Sequence, residues 1–101
     1  MRVVKMEKKE IIKLIRSLNP QIQEKYKAQV KAIFGSYVRG EETPESDLDV
    51  LVEFNDNANL LDLVGLSQFL EDEIHIKVDV VPIDTVRKEI EKQVMKEAIL
   101  V

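Results

Sequence analysis

Two aspartates stand two residues apart, Asp47 and Asp49, where the stretch "SDLDVLVEF" turns from polar to alternately apolar. On a strand, residues i and i+2 share a face and lie about 6.5–7 Å apart along the backbone. Like charges so placed repel unless something positive sits between them. Carboxylate oxygens are hard ligands that suit Mg²⁺, and two such ions about 3.5–4 Å apart form a clamp for in-line phosphoryl chemistry. A lone D-x-D also reads as a loop cap beside an exposed carboxylate. A third acid, Asp79, lies in "IHIKVDVV" on the parity opposite Val78 and Val80. If those valines meet the same helices as Val50 and Val52, Asp79 joins Asp47 and Asp49 on the other face. A carboxylate there can bridge a metal and accept the proton of an attacking hydroxyl. Read from its own strand alone, it is equally an edge-strand surface charge.

Gly35-Ser36 ends an apolar run and opens a helical turn. Glycine permits close backbone approach, and the following N–H groups with the Ser36 hydroxyl can meet phosphate oxygens at a helix N-terminus. Arg39, one turn on, adds positive charge on the same side. Each feature alone is an ordinary strand end or surface residue. His75, the only histidine, shares strand parity with Asp79 and reads as a partly exposed strand residue; Tyr26 and Tyr37 read as packing residues. "GSYVRGEE" lacks the Lys-Ser/Thr of a P-loop, and there is no G-x-G-x-x-G.

These residues need elements to hold them. Ile11, Leu14, Ile15 and Leu18 recur at helical spacing over 7–18, with a break or restart expected at Asn19-Pro20. "VKAIFGS" reads as a strand from Val30 to Phe34. A turn of helix and a polar loop around Pro44 follow, then the strand 47–54 with Leu48, Val50, Val52 and Phe54 on one face. Asn59 suits a helix cap, and Leu60, Leu63, Val64, Leu66 and Leu70 lie near helical spacing behind it. A strand is expected in "IHIKVDVV", with Ile74, Ile76, Val78 and Val80 inward. A last helix is expected over 84–98, with Val86, Ile90, Val94 and Ala98 inward. The order suggests an α/β (α+β) domain: a small mixed β-sheet with helices covering one face, leaving the other to the polar parity.

The 101 residues, 45% apolar, suit one domain over 1–101 with one core and little surplus for a second binding domain. Without cysteine, disulfides, thiolate metal sites and thiol nucleophiles are excluded. No apolar stretch approaches the roughly 20 residues of a membrane span. "MRVVKMEKKEIIKLI" carries charge through its apolar region, unlike a signal peptide. A soluble cytoplasmic protein without membrane contact is expected. The net charge of −4 is uneven: residues 1–31 hold 9 Lys/Arg against 3 Asp/Glu, and residues 41–79 hold 12 Asp/Glu against 1 Lys. An acidic centre argues against stable nucleic-acid binding.

Taken together, Gly35, Ser36, Arg39, Gly40, Ser46, Asp47, Asp49 and Asp79 resemble the motif of the nucleotidyltransferase superfamily that includes DNA polymerase beta. Seven of the eight fall in one 15-residue window. The chain looks most like a minimal nucleotidyltransferase (MNT) domain, with "NLLDLVGLSQFLEDEI" as its middle helix and "VMKEAILV" as its C-terminus. Val38 is bulkier than the small residues common there. The resemblance implies the nucleotidyltransferase fold. It implies two Mg²⁺ ions held by Asp47, Asp49 and Asp79, with Asp79 also a candidate base. It implies ATP as co-substrate, its triphosphate bound by Gly35, Ser36 and Arg39. It also implies a partner, since MNT proteins are similar to antitoxins of HEPN ribonuclease toxins, and some transfer AMP to a tyrosine of the toxin.

The leading expectation is therefore a Mg²⁺-dependent protein adenylyltransferase that silences a cognate HEPN toxin. The alternatives are an antitoxin that neutralises by contact alone, which would not need an intact acidic triad, and a nucleotidyltransferase acting on a small molecule, which would need an acceptor-binding domain that this length does not supply. Fold alone does not choose among them. The sequence leaves the acceptor residue, the number of nucleotides transferred and any homo-oligomer open.

Overall fold

A computed structural model describes residues 7–41, 46–86 and 88–101. Its elements are α1 (Lys8–Tyr26), β1 (Ala28–Phe34), α2 (Ser36–Arg39), β2 (Leu48–Phe54), α3 (Leu60–Ile74), β3 (Val78–Pro82), a 3₁₀ turn (Ile83–Thr85), α4 (Lys88–Glu97) and β4 (Ile99–Leu100). The strands form one mixed sheet in the order β3-β2-β1-β4. β2 runs parallel to β3 and antiparallel to β1, and β4 is antiparallel to β1.

One face of the sheet is the core. Val30 and Ile33 of β1, Leu48, Val50 and Val52 of β2 and Val78 and Val80 of β3 pack there against Ile11, Ile15 and Ile22 of α1 and Leu66, Leu70 and Ile74 of α3. Where α1 passes α3, Gly65 keeps the helices close, since a Cβ there would sit 2.9 Å from the Tyr26 ring. The start of α3 is fixed by a capping box: Asn59 accepts from the Asp62 N–H, and Asp62 accepts from the Asn59 N–H.

Four local expectations change. The helix does not break at Asn19-Pro20; α1 runs through both. Proline removes one helical donor, but Asn19 docks the helix onto the sheet at the same point. Its side-chain amide donates to the Val30 carbonyl at 3.1 Å and accepts from the Val30 N–H at 2.9 Å. Those backbone groups lie beyond two-residue β4, which pairs only with Ala32 and Ile33. The helix α3 continues to Ile74 and stops at His75 in the left-handed conformation (φ 63°), so β3 starts only at Val78 and His75 is not on a strand. Leu60 and Val64 are exposed, and the buried stripe of α3 runs through Leu66, Leu70 and Ile74.

The fourth difference concerns the last helix. It begins at Lys88, after the 3₁₀ turn, and lies over the face opposite α1 and α3. Ala32 and Leu51 are buried there without joining the main core. An apolar cavity of about 220 Å³ separates them from Ile83, Val86 and Val94. The side chain of Ile90 and the loop residues around Pro44 lie outside the described residues. Among those described, no helix is long and apolar enough to cross a membrane.

A bulge in β1 sets what this second face presents. Val30 pairs with Val52 but Ala32 with Leu51, so Lys31 is the extra residue. Beyond it Ile33 turns into the core, and Phe34 faces out toward the aspartates.

Candidate active site

The row that crosses the second face at its acidic end is set by strand register. Phe34 pairs with Asp49 across β1–β2, and Asp49 pairs with Asp79 across the parallel β2–β3 ladder. Neighbouring strands lie about 4.8 Å apart, so the two carboxyls stand side by side. Asp47 lies one residue before β2 and is exposed. The β2–β3 alignment is closed beside it by the Leu48 N–H, which donates to the Lys77 carbonyl at 2.8 Å.

The electrostatics follow from that geometry. Burial pushes the Asp49 carboxyl up from 3.8 to about 6; the charges of Asp79 and Asp47 and a hydrogen bond with Asp79 add to the rise, and Arg39 pulls it down. Asp49 thus feels the charge of both neighbouring acids.

Gly35 approaches Asp49 from β1. Its φ is +87°, a region L side chains rarely adopt, and a Cβ there would overlap Oδ2 of Asp49. The Gly35 carbonyl accepts from the N–H groups of Val38 (3.1 Å) and Arg39 (3.2 Å), which closes the single turn α2. Gly40 ends that turn with φ +73°. Ser36 starts α2 and is half-buried. Arg39 is exposed and doubly paired: Nε to Glu41 at 3.0 Å, and Nη1 to Glu97 of α4 at 3.2 Å.

An open cleft of about 480 Å³ joins Gly35, Ser36, Arg39 and Asp49 and is walled by Phe34, Val94 and Glu97. Its size is within the range of small-molecule and cofactor sites. Glycine, hydroxyl, guanidinium and one carboxylate line this cleft, while Asp79, beside Asp49 in the ladder, and Asp47 stand outside its lining; these are parts a polyphosphate ester needs. The family profile of the nucleotidyltransferase domain matches residues 8–101.

The chain belongs to the nucleotidyltransferase domain family. Among relatives of this nucleotidyltransferase is MJ0126 of Methanocaldococcus jannaschii, 35% identical over 91 residues that cover 90% of this chain and 93% of the relative. Another is the protein adenylyltransferase MntA of Thermococcus cleftensis, 33% identical over 92 residues, 91% of this chain and 93% of MntA. A solved minimal nucleotidyltransferase shares the fold with a TM-score of 0.71 and 31% identity over 89% of this chain and 95% of that one. A solved toxin–antitoxin structure with AMP-PNP matches with a TM-score of 0.66 and 27% identity, over 94% of this chain and 72% of that one. The mixed sheet with its helical cover is the minimal nucleotidyltransferase fold.

The nucleotidyltransferase site fits a hard divalent cation in the kind of its donors, which are all carboxylate oxygens. Asp49 and Asp79 also fit in position, since their mutual repulsion is what a cation between them would relieve. The fit stops at two: among the described residues, no three acidic, histidine or cysteine side chains meet closely enough to enclose a metal. Asp47 is near enough to raise the Asp49 pKa but stands outside the pair.

His75, at the exposed end of α3, takes no part in the cleft. Ser46 is half-buried just before Asp47. Sequence reasoning misses Phe34, Val94 and Glu97. Phe34 had a local signal, as the residue directly before Gly35. Val94 and Glu97 had none, because they reach the cleft only through the packing of α4.

Proposed function

We propose that this nucleotidyltransferase transfers AMP from ATP to a tyrosine hydroxyl of a HEPN-type toxin and thereby acts as its antitoxin. The observation that carries the reading is the Asp49–Asp79 pair, aligned across β2–β3, with Asp49 against Gly35 and in one cleft with Ser36. A protein that neutralised by contact alone would have no use for two carboxylates held together against their repulsion. The adenylyltransferase name of the MntA relative supports the reaction class. The toxin–antitoxin structure with AMP-PNP supports an adenine nucleotide and a toxin partner. The fold is also shared with the MNT antitoxin bound to a tri-AMPylated Shewanella oneidensis HEPN toxin, a likeness of fold at 21% identity and a TM-score of 0.59.

In this reading the Ser36 hydroxyl and the backbone after Gly35 bind the triphosphate, and Arg39 adds charge to it. Asp49 and Asp79, with Asp47 drawn in beside them, would hold two Mg²⁺ ions, which when bound would neutralise carboxylate and phosphate charge and favour ionisation of a hydroxyl. The acceptor oxygen bonds to the α-phosphorus, the bond from that phosphorus to the β-phosphate bridge oxygen breaks, and pyrophosphate leaves. A phenol has a pKa near 10 and is mostly protonated at neutral pH, so its proton needs an acceptor. Asp79, exposed at the end of the row, takes it.

The test is to combine this protein with the product of its neighbouring reading frame, ATP and Mg²⁺, then weigh the intact neighbour by mass spectrometry. The expected result is a mass gain of adenylate that disappears with Asp47→Ala. Tight complex formation and silencing with no adduct, unchanged by Asp47→Ala, would sink the enzymatic reading in favour of contact.

A further inference from the structure

Glu97 has no role in the reading so far, yet it makes the contact that joins the C-terminal segment to the nucleotide cleft. Its Oε2 accepts from Nη1 of Arg39 at 3.2 Å, across 58 residues of sequence. Glu41 takes Nε of the same guanidinium at 3.0 Å. A guanidinium has five N–H donors in a fixed plane. Two carboxylates at two of its edges fix that plane and leave three donors for another anion.

The backbone holds Glu97 in place for this contact. Two residues after it, Ile99 pairs with Ile33, and Leu100 pairs with Ala32. The Val101 N–H donates to the Lys31 carbonyl at 2.9 Å, and the Ala98 N–H to the Val94 carbonyl at 2.8 Å. β4 therefore clips the end of α4 alongside β1, where β1 runs into Phe34 and Gly35. The strand pairing and the ion pair together set where this last turn sits.

We propose that Glu97 is a positioning residue: it holds the Arg39 guanidinium in the orientation that meets the β- and γ-phosphates of a nucleoside triphosphate, with β4 as the clip that keeps Glu97 in reach. The proposal rests on the nucleotide reading of the cleft. Glu97 lines the cleft but, as an anion, makes no bond to a phosphate; it acts through Arg39. Removing it should therefore cost affinity only where Arg39 is used. A nucleoside monophosphate, which has no β- or γ-phosphate, should not sense it.

Calorimetric titration of the purified protein with Mg²⁺–ATP and separately with AMP tests this, with thermal melting of each variant alongside. Glu97→Ala and Arg39→Ala should each weaken ATP about fivefold, the scale of a partly exposed ion pair, and leave AMP affinity unchanged. The double variant should bind ATP no more weakly than Arg39→Ala, because Glu97 has nothing left to position. Glu97→Gln, isosteric and still an acceptor, should recover part of the loss. Additive losses in the double variant, an equal loss for AMP, or tighter ATP binding in Glu97→Ala would each overturn the proposal. Failure of the underlying reading looks different: the wild-type protein then binds no ATP, or Arg39→Ala binds it as the wild type does, and the positioning role falls with it.

Discussion

Replacing Asp49 by Asn should stabilise the metal-free protein at neutral pH while damaging its function. The Asp49 carboxyl rises from 3.8 to about 6, first through burial and then through the charges of Asp79 and Asp47. A folded pKa above the unfolded one means that the native chain holds the proton more tightly. Between about pH 4 and pH 6 the native state carries more protons than the unfolded state, so stability falls as pH rises through that window and levels off above it. At about 1.4 kcal/mol per tenfold, the full rise corresponds to roughly 3 kcal/mol. The side chain is only partly buried, and screening by water reduces this to about 1 kcal/mol. Asparagine keeps the shape, removes the charge and can still donate a hydrogen bond to Asp79. In EDTA at pH 7.5, Asp49→Asn should melt about 4–8 °C higher for a chain of this size. Near pH 4 the two proteins should melt together, because the wild-type carboxyl is then protonated. An equal or lower melting temperature at pH 7.5, or a gap that persists at pH 4, would refute the electrostatic account. Calorimetry with Mg²⁺–ATP gives the functional half: equal affinity in both proteins would remove Asp49 from the ligand set.

Gly35→Ala should cost about 1–3 kcal/mol, from the positive φ and the collision with Asp49, and should abolish ATP binding; denaturant unfolding and calorimetry read the two effects, and a wild-type result in both would refute the close approach. Ser36→Ala should change stability by less than about 0.5 kcal/mol yet weaken ATP binding, so unaltered nucleotide affinity would free that hydroxyl of its assignment. Asn19→Ala removes both side-chain bonds to Val30 and should destabilise by about 1–3 kcal/mol. Because Asn19 is remote from the cleft, its ATP affinity should stay at the wild-type value in the folded protein, and a selective loss of ATP binding would contradict that separation.

Where the sequence was informative, the pattern was local. In "DLDVLVEF" a packed face on Leu48, Val50 and Val52 leaves Asp49 only the other side, and period two requires no knowledge of the partner strand. Gly35 was legible for a similar reason, since a glycine between a strand and a turn signals a constraint on the backbone itself. Parity gave the face of Asp79 but not its neighbour; that depends on parallel register, which is a long-range fact. "IHIKV" alternated like a strand, but the left-handed residue that stops α3 is His75 rather than a glycine, so the helix end carried no composition signal. Pro20 announced a break that Asn19 and Val30 compensate from eleven residues away. The bulge at Lys31, two-residue β4 and the Arg39–Glu97 pair exist only once the strands have met.

The carboxylate pair persists because the same register that creates it also builds the core. Leu48 pairs with Val78 and Val50 with Val80, and all four are buried. Asp49 and Asp79 are the residues between them, so any alignment that satisfies those apolar pairs brings the two acids together. A slip of one residue would relieve the repulsion but turn the aspartate of the slipped strand into the core and its valines or leucine out of it. Burying a Val or Leu side chain contributes about 1.5–3 kcal/mol, so four such residues outweigh a cost of about 1 kcal/mol that burial and repulsion together impose on Asp49. The strain is therefore stored at the surface end of a ladder that cannot shift to release it. A divalent cation bridging the acids, as proposed, would gain what the metal-free fold loses, and by linkage its binding would raise the stability of the folded state. Asp49→Asn removes the repulsion and the ligand in one substitution, so the melt in EDTA reads the first and Mg²⁺–ATP calorimetry reads the second.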